Sequence, residues 1–448
     1  MNGLLALLLL ALGVSISVFV PIYGASAVLA GSVSAVFAAF MIYRAGGERE
    51  FLLRVFAGAL IVRVVIGTVI FVLGLQDFFG GDALTYDELG YALLRLWQGE
   101  TQFQWLIDRF WTGGGWGMLY LVAAVYGSVG RNMLAVQYVN AVIGAATAPV
   151  IYFCAQHIFL NLKVARVAAF LVAFYPSLVL WSSQGLKDGP TVFFLTLAML
   201  ATLKLGEKLS LKYLIILSCA LFGALSLRFY VFYMVVAAVG GAFLIGMRAV
   251  TAQSLSRQFV IIVGMGLAMT YLGVLRTAST QFERFGSLEA VQRGRADQAR
   301  SAQSGFAPDV DVSTTSGAIS AIPVGMVYLL FAPFPWQLGS LRQSITLPEM
   351  VVWWVSFPLF MLGLWFTIKF RLRQALPILI FTVMLTLAYS IFQGNIGTAY
   401  RQRSQLLVFY FIFVATGFVL LKERSEENRQ KALAAKQAVL ARRAPHRI

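Results

Sequence analysis

Apolar residues dominate this chain in long runs that short polar stretches separate. Runs of about 17 to 25 residues recur as far as position 421, and this is the length that a helix needs to cross a bilayer. A weaker run over 319–338 contains Pro323, Pro333 and Pro335, which favours a re-entrant or interfacial segment. We predict about twelve spans, near 3–22, 25–43, 51–75, 134–158, 164–183, 189–206, 211–227, 230–247, 258–275, 348–368, 374–392 and 405–421.

Composition agrees with this pattern, because 59% of the residues are hydrophobic and only 12% are charged. These values exclude an ordinary soluble globular protein and predict an all-α polytopic membrane protein. Cys154 and Cys219 lie inside apolar runs, so neither a disulfide framework nor a cysteine metal site is expected. The net charge of +16 requires no nucleic-acid partner, because basic cytoplasmic loops and a basic tail account for much of it.

Basic residues gather in alternate loops, and this asymmetry predicts the orientation. An even number of spans places both termini in the cytoplasm of a multi-pass protein of the cytoplasmic membrane. The transmembrane domain then covers 1–421 and a basic cytoplasmic tail covers 422–448. The loops predicted outside are 76–133, 184–189, 228–229, 276–347 and 393–404, and within them 276–320 reads as a flexible loop because it is polar and rich in Ser, Gln and Gly.

The first outer loop, 76–133, contains two short segments that we interpret as interfacial helices, over 89–97 and 116–126. Tryptophans surround them, as expected for helices that lie at the membrane surface. The loop also places Asp82, Asp87 and Glu88 within seven residues, directly after an apolar span. A carboxylate costs little at the edge of the bilayer, so this cluster is a candidate site at the depth of the lipid headgroups.

The other distinctive ionisable residues also fall in the predicted outer loops. They are Lys187 and Asp188 at a helix start, Arg228 between two apolar runs, and Arg401 and Arg403 after a glycine-containing loop. The site is therefore expected to face away from the cytoplasm, where ATP and nucleotide sugars are not found. An enzyme with this geometry needs a donor that is itself a membrane lipid.

Two sequence patterns in these loops resemble the GT-C glycosyltransferases. They are Asp82-x-x-x-Tyr86 in the first outer loop and the segment 175–188, which runs from Tyr175-Pro176-Ser177 to Leu186-Lys187-Asp188. The similarity is to the branch that contains the protein O-mannosyltransferases and the aminoarabinose transferase of lipid A, and it covers about residues 75–210. Ala83 replaces the Glu that usually follows the first Asp, Lys187 replaces a small polar residue, and two additional spans precede the pattern.

The resemblance implies a sugar transfer from a polyprenyl-phosphate donor to a lipid, glycan or protein acceptor. Asp82 matches the catalytic acidic residue of the family and Asp188 the second one, while Asp87 and Glu88 add further negative charge. A carboxylate can act as the base that takes a proton from the acceptor, and cations stabilise the leaving phosphate. The candidate cations are Arg228, Arg401, Arg403 and Lys187.

Several alternatives remain open at the level of the sequence. Asp87 can replace Asp82 as the base, and Asp188 can simply cap a helix. No obligatory metal is expected, although Asp82 and Asp188 would be ligands if Mg²⁺ or Mn²⁺ were used. A polysaccharide polymerase or O-antigen ligase that uses pyrophosphate-linked oligosaccharides is a second interpretation. A transporter or flippase is disfavoured because the sequence has no internal repeat.

Overall fold

A computed structural model describes residues 3–111, 115–245, 286–301 and 304–443, together with positions 263, 264, 266 and 270. Helices account for nearly all of the secondary structure in these residues, and no β-strand occurs among them, which confirms the predicted fold class. The first ten helices are α1 Gly3–Phe19, α2 Gly24–Ala45, α3 Arg49–Val72, α4 Gln76–Phe79, α5 Asp82–Trp97, α6 Gln104–Trp111, α7 Trp116–Val129, α8 Met133–Phe159, α9 Leu162–Phe174 and α10 Pro176–Ser182.

After α10, the part of the chain that the structure describes contains nine further helices. They are α11 Asp188–Glu207, α12 Leu211–Leu227, α13 Phe229–Ile245, α14 Leu288–Ser301, α15 Thr315–Phe331, α16 Leu341–Phe370, α17 Leu372–Phe392, α18 Ile396–Gln402 and α19 Ser404–Arg443. Short 3₁₀ turns occupy Thr101–Phe103 and Pro335–Gln337.

Within the described residues, seven helices are long and apolar enough to cross a membrane, and an eighth span results if the bent pair α9 and α10 is counted as one. This supports a multi-pass membrane protein without confirming the number twelve. Three further predicted spans coincide with α1, α12 and α13, which are apolar helices of 17 residues each. The predicted span 258–275 lies almost entirely outside the described residues.

The helices differ in how much of their surface the protein itself covers. In α8, 89% of the most apolar window is buried, whereas the corresponding share for α2 is 11%. A helix that is apolar on all sides fits either of these environments, a protein core or lipid. The helix α8 therefore forms the centre of the bundle, and α2 is a peripheral helix whose apolar surface suits contact with lipid.

Arg63 lies in the middle of α3 and is fully buried. The chain bends by 54° between α9 and α10, where Pro176 begins the second helix. Arg63 donates one hydrogen bond to the backbone carbonyl of Ala173 at this bend (2.7 Å) and another to the hydroxyl of Ser182 (2.8 Å). A charged side chain inside a bundle needs such partners, and the bend supplies the partners that the sequence did not identify for Arg63.

The helix α15 covers most of the segment predicted as re-entrant. In the second half of this helix, the backbone of Gly325 packs directly against the backbone of Ser390 at the end of α17. After its last turn, the backbone carbonyl of Ala332 accepts a hydrogen bond from Arg403 (3.1 Å). Both contacts hold the C-terminal half of α15 beside the end of α17 and the start of α19, and the re-entrant or interfacial character of the segment stays a prediction.

The polar segment predicted as a flexible loop includes the helix α14 in its described part. Behind α14, Phe306 donates a backbone hydrogen bond to Gly394 (2.9 Å), and Ile396 donates one to Ser304 (2.9 Å). These bonds form an isolated antiparallel bridge between Gly305 and Asn395. The segment is thus attached to the short connection that leads into α18.

Candidate active site

Four segments that are far apart in the chain meet at one end of the helix bundle. The first residue of α5 is Asp82, and the first residue of α11 is Asp188. Arg228 lies at the junction between α12 and α13, and Arg401 lies on α18. These four residues form one connected network of ion pairs, which we call the acid–arginine cluster. All four were predicted from the sequence as site residues.

Asp188 is the buried centre of this cluster, with a side chain that is 1% exposed. Its Oδ1 accepts from Nη2 of Arg228 (2.7 Å). Its Oδ2 accepts from both Nε (2.8 Å) and Nη2 (2.6 Å) of Arg401. Hydrogen bonds between ionised partners in this forked arrangement are strong and directional, so Asp188 fixes the positions of both guanidinium groups.

The loop before Asp188 is held from the side by α8. The amide of Asn140 donates to the carbonyls of Gln184 (2.6 Å) and Leu186 (2.7 Å). Gly67 on α3 approaches the same loop so closely that a Cβ there would lie 2.7 Å from the carbonyl oxygen of Ser183. The position of Asp188 is therefore determined by two neighbouring helices. Asn140 was not predicted as a site residue, and a polar amide inside an apolar span is the signal that could have found it.

Arg228 is 7% exposed, and one of its three guanidinium nitrogens has no hydrogen-bond partner among the described residues. Its Nη1 donates to the hydroxyl of Tyr230 (2.6 Å), and its Nη2 binds Asp188. Its Nε has no hydrogen-bond partner among the described residues. A buried donor without a partner is costly, so Arg228 is suited to bind an additional acceptor, such as an anionic oxygen. Tyr230 was not assigned a role from the sequence, although it stands two residues after Arg228.

Arg401 lies on α18, whose first turn is capped by Asn395 and is bound to the segment that contains Ser304. The side chain of Asn395 accepts from the backbone N–H of Gly397 (2.8 Å) at the start of α18, and it also accepts from the hydroxyl of Ser304 (2.6 Å). The guanidinium carbon of Arg401 lies 5.7 Å from the centre of the Trp181 ring. Ion pairs and this cation–π contact hold Arg401 in one orientation.

Asp82 is the exposed member of the cluster. Its carboxylate accepts from Nη1 of Arg401 (2.7 Å), and its side chain is 51% exposed. Gly80 precedes it with φ of +134°, a backbone conformation that favours glycine. A Cβ at Gly80 would lie 3.9 Å from Nη1 of Arg401. Asp82 is thus open to solvent on one side and paired with a cation on the other.

Lys187 stands beside the cluster at the end of the loop that leads into α11. Its Nζ lies 5.9 Å from the centre of the Tyr86 ring, and a Cβ at Gly115 would lie 3.1 Å from it. Gly115 has φ of +89°, so glycine there permits both the turn and this close approach. Burial, together with the positive charge of Arg228, lowers the pKa of Lys187 to about 8.

The structure does not bring three other predicted site residues into the cluster. Asp87 accepts hydrogen bonds from the hydroxyl of Tyr126 and from Arg131 (2.5 Å), which joins α5 to α7 and to the turn after it. Glu88, the next residue, is exposed. Arg403 is fully buried and donates to the backbone carbonyls of Leu329, Leu330 and Ala332.

The charges of the cluster and of Lys187 are suited to an anion, and one accessible carboxylate lies beside them. Arg228, Arg401 and Lys187 carry three positive charges, and Asp82 and Asp188 carry two negative charges. Among the described residues, no group of three or more His, Cys, Asp or Glu side chains is placed to hold a metal ion. That the protein needs no metal ion stays a prediction. It also stays a prediction that Asp82 and Asp188 would be the ligands if Mg²⁺ or Mn²⁺ were used.

A family model matches part of the chain. Residues 115–274 match a family model described as dolichyl-phosphate-mannose-protein mannosyltransferase, and this confirms the resemblance to GT-C glycosyltransferases of that branch. The matched region contains Lys187, Asp188 and Arg228 but neither Asp82 nor Arg401. No curated protein shows significant similarity to the chain. The match supports a membrane glycosyltransferase of the GT-C type.

Proposed function

We propose that this protein transfers a sugar from a polyprenyl-phosphate donor to a lipid, glycan or protein acceptor at the outer face of the cytoplasmic membrane. The observation that carries the proposal is the pairing of one exposed carboxylate, Asp82, with an arginine that a buried carboxylate, Asp188, also holds. The proposal includes the predicted orientation, with both termini in the cytoplasm. Its general class is supported by the family match over residues 115–274.

In this mechanism Asp82 is the general base. Its carboxylate takes the proton from the acceptor hydroxyl or amine as that group attacks the anomeric carbon of the donor sugar. The bond between the anomeric carbon and the phosphate oxygen breaks, and its electron pair stays on the polyprenyl phosphate. Half of the Asp82 side chain is accessible, and an acceptor that arrives from solvent requires this access.

Arg228 and Arg401 stabilise the negative charge that develops on the leaving phosphate. Fixed cations at the place where charge develops lower the barrier of such a step. Asp188 does not serve as a base in this proposal, because both of its oxygens are occupied and its side chain is fully buried. We assign it instead to positioning the two arginines, which differs from the catalytic role that the resemblance implies. Lys187 adds positive charge beside them.

The test compares cells that lack the protein after complementation with wild type, Asp82→Asn or Glu88→Gln at matched expression. Asp82→Asn preserves the shape of the side chain and removes the base, so we expect transfer to fall by about 10²- to 10⁴-fold. Glu88→Gln removes a charge from an exposed position on the same helix and should restore transfer fully. The measurements are the glycans of the cell envelope and the polyprenyl-linked sugars that accumulate.

Three outcomes separate the possible functions. Build-up of a lipid-monophosphate sugar with Asp82→Asn, but not with Glu88→Gln, supports the proposal and identifies the donor. Equal rescue by both variants removes Asp82 as the base. Build-up of a pyrophosphate-linked oligosaccharide assigns the protein to the polymerase or ligase class.

A further inference from the structure

Arg401 has two carboxylate partners, and these two contacts differ in character. The contact with Asp188 uses Nε and Nη2 of Arg401, and the Asp188 side chain is fully buried. The contact with Asp82 uses only Nη1 and involves a carboxylate that is 51% exposed. Arg401 itself is 16% exposed. Nη1 is therefore the part of this guanidinium group that can change its partner while the group stays in place.

The same atom is where an incoming anion would bind. Asp188 occupies Nη2 of both Arg228 and Arg401, which leaves Nη1 of Arg401 and the unpartnered Nε of Arg228 for a ligand. Asp82 occupies the first of these two positions. Two negative groups cannot share that position without repulsion, since like charges at short range disfavour each other.

We propose that the donor phosphate and Asp82 compete for Nη1 of Arg401, so that donor binding releases the carboxylate of Asp82 to act as the base. This inference rests on the proposed function, because it assigns a donor phosphate to the cluster. Before donor binds, one oxygen of the carboxylate is occupied by Nη1 of Arg401. After donor binds, the carboxylate is free for the acceptor, and the order of binding becomes donor first and acceptor second.

The backbone before Asp82 is suited to such an exchange. Gly80 and Gly81 connect α4 to α5, and Gly80 adopts a positive φ that other residues rarely adopt. The α4 end of this connection is held in place, because Nη2 of Arg342 donates to the carbonyl of Asp77 (3.1 Å). The backbone around Asp82 is thus held in place, and rotation of the exposed Asp82 side chain alone moves the carboxylate away from Arg401 without a change in the buried part of the cluster.

The test measures binding instead of transfer. Radiolabelled farnesyl phosphate serves as the probe, and purified wild type, Asp82→Asn and Glu88→Gln are compared in the same detergent. Farnesol is the control for binding through the apolar chain alone. If Asp82 is a competitor, its neutralisation should tighten farnesyl phosphate binding by about two- to fivefold, the size expected for a partly exposed ion pair, although the same variant loses most of its transfer activity.

Glu88→Gln should leave the affinity unchanged, because it removes an equal charge from the same helix without contact to Arg401 in the described residues. Asp82→Ala provides a second variant with the same expected sign. Unchanged or weaker binding by both Asp82 variants overturns the competition. This result does not bear on the proposed function, which the transfer experiment tests separately. No difference between farnesyl phosphate and farnesol in any of the proteins overturns the proposed phosphate site, and the competition with it.

Discussion

Arg401 and Arg403 are two residues apart in the chain, yet their guanidinium groups belong to two different regions of the molecule. Arg401 faces the acid–arginine cluster, where its partners are the carboxylates of Asp82 and Asp188. Arg403 faces the end of α15, where its acceptors are three backbone carbonyls and the sulfur of Met350. One arginine forms ion pairs and is partly open, and the other is closed and directs its hydrogen bonds to neutral acceptors.

The difference follows from the local helical geometry. Successive residues of an α-helix turn by about 100°, so side chains two positions apart point to nearly opposite sides. Arg401 therefore turns toward α5 and α11, while Arg403 turns toward α15 and α16. A basic residue near a predicted phosphate site is thus not sufficient to identify a phosphate ligand. The counter-ions and the remaining access decide which arginine can bind an anion.

Replacement of Arg401 should have the largest effect on activity. Arg401→Gln removes the cation that Asp82 and Asp188 share, and we expect sugar transfer to fall by about 10²- to 10³-fold. Because the variant leaves one oxygen of the buried Asp188 carboxylate without a partner, a lower melting temperature is also expected, and transfer is therefore compared per folded protein. Arg293→Gln, at an exposed position on α14, is the matched control and should keep full activity. A variant Arg401→Gln that transfers sugar normally would contradict the role of this side chain.

Replacement of Arg403 should affect stability more than chemistry. Arg403→Gln removes the donor to the carbonyls of Leu329 and Ala332, whereas the carbonyl of Leu330 keeps the indole N–H of Trp353. Each buried acceptor that loses its donor costs about 1–3 kcal/mol. We expect a lower melting temperature and a lower yield in detergent, measured by fluorescence-detected size exclusion after heating. The folded fraction should retain transfer within a few-fold of wild type. Loss of transfer at an unchanged melting temperature would move Arg403 into the active site, as the sequence predicts.

The smallest effect is expected from the protonation of Lys187. Burial and the nearby Arg228 lower its pKa to about 8, so its positive charge is present below pH 8 and is lost as the pH rises above 8. We expect the affinity for farnesyl phosphate to fall by about two- to fivefold between pH 7 and pH 10 in the wild type. Lys187→Arg should remove this dependence, because arginine stays charged over the whole range. A parallel decline in both proteins would assign the effect to another group.

Most of the helical architecture follows from the sequence because apolar runs of fixed length leave few other structures in a bilayer. Eleven of the predicted spans coincide with helices, and the interfacial segment at 116–126 coincides with α7. The other interfacial segment begins earlier than predicted, since α5 starts at Asp82 and not at Leu89. This shift matters because it makes the base candidate the first residue of a helix.

The residues of the acid–arginine cluster were also accessible from the sequence, because ionisable residues at the ends of apolar runs are rare and conspicuous. The role of each of these residues could not be predicted from the sequence. Asp87 resembles Asp82 in sequence context, but it is bound to Tyr126 and Arg131. Which carboxylate is exposed and which is enclosed depends on helices that are distant in the chain.

Three properties could be predicted from the sequence alone. They are the helical membrane fold, the approximate positions of the spans, and the small set of carboxylates and cations that are candidate active-site residues. These properties depend on local composition and on the thickness of the bilayer. The tertiary structure decided that Arg401 joins Asp82 to Asp188 and that Arg403 does not. It also decided that Lys187 is partly buried. These properties depend on which helix ends meet, and electrostatic interactions between distant segments exist only once packing has brought them within a few ångströms.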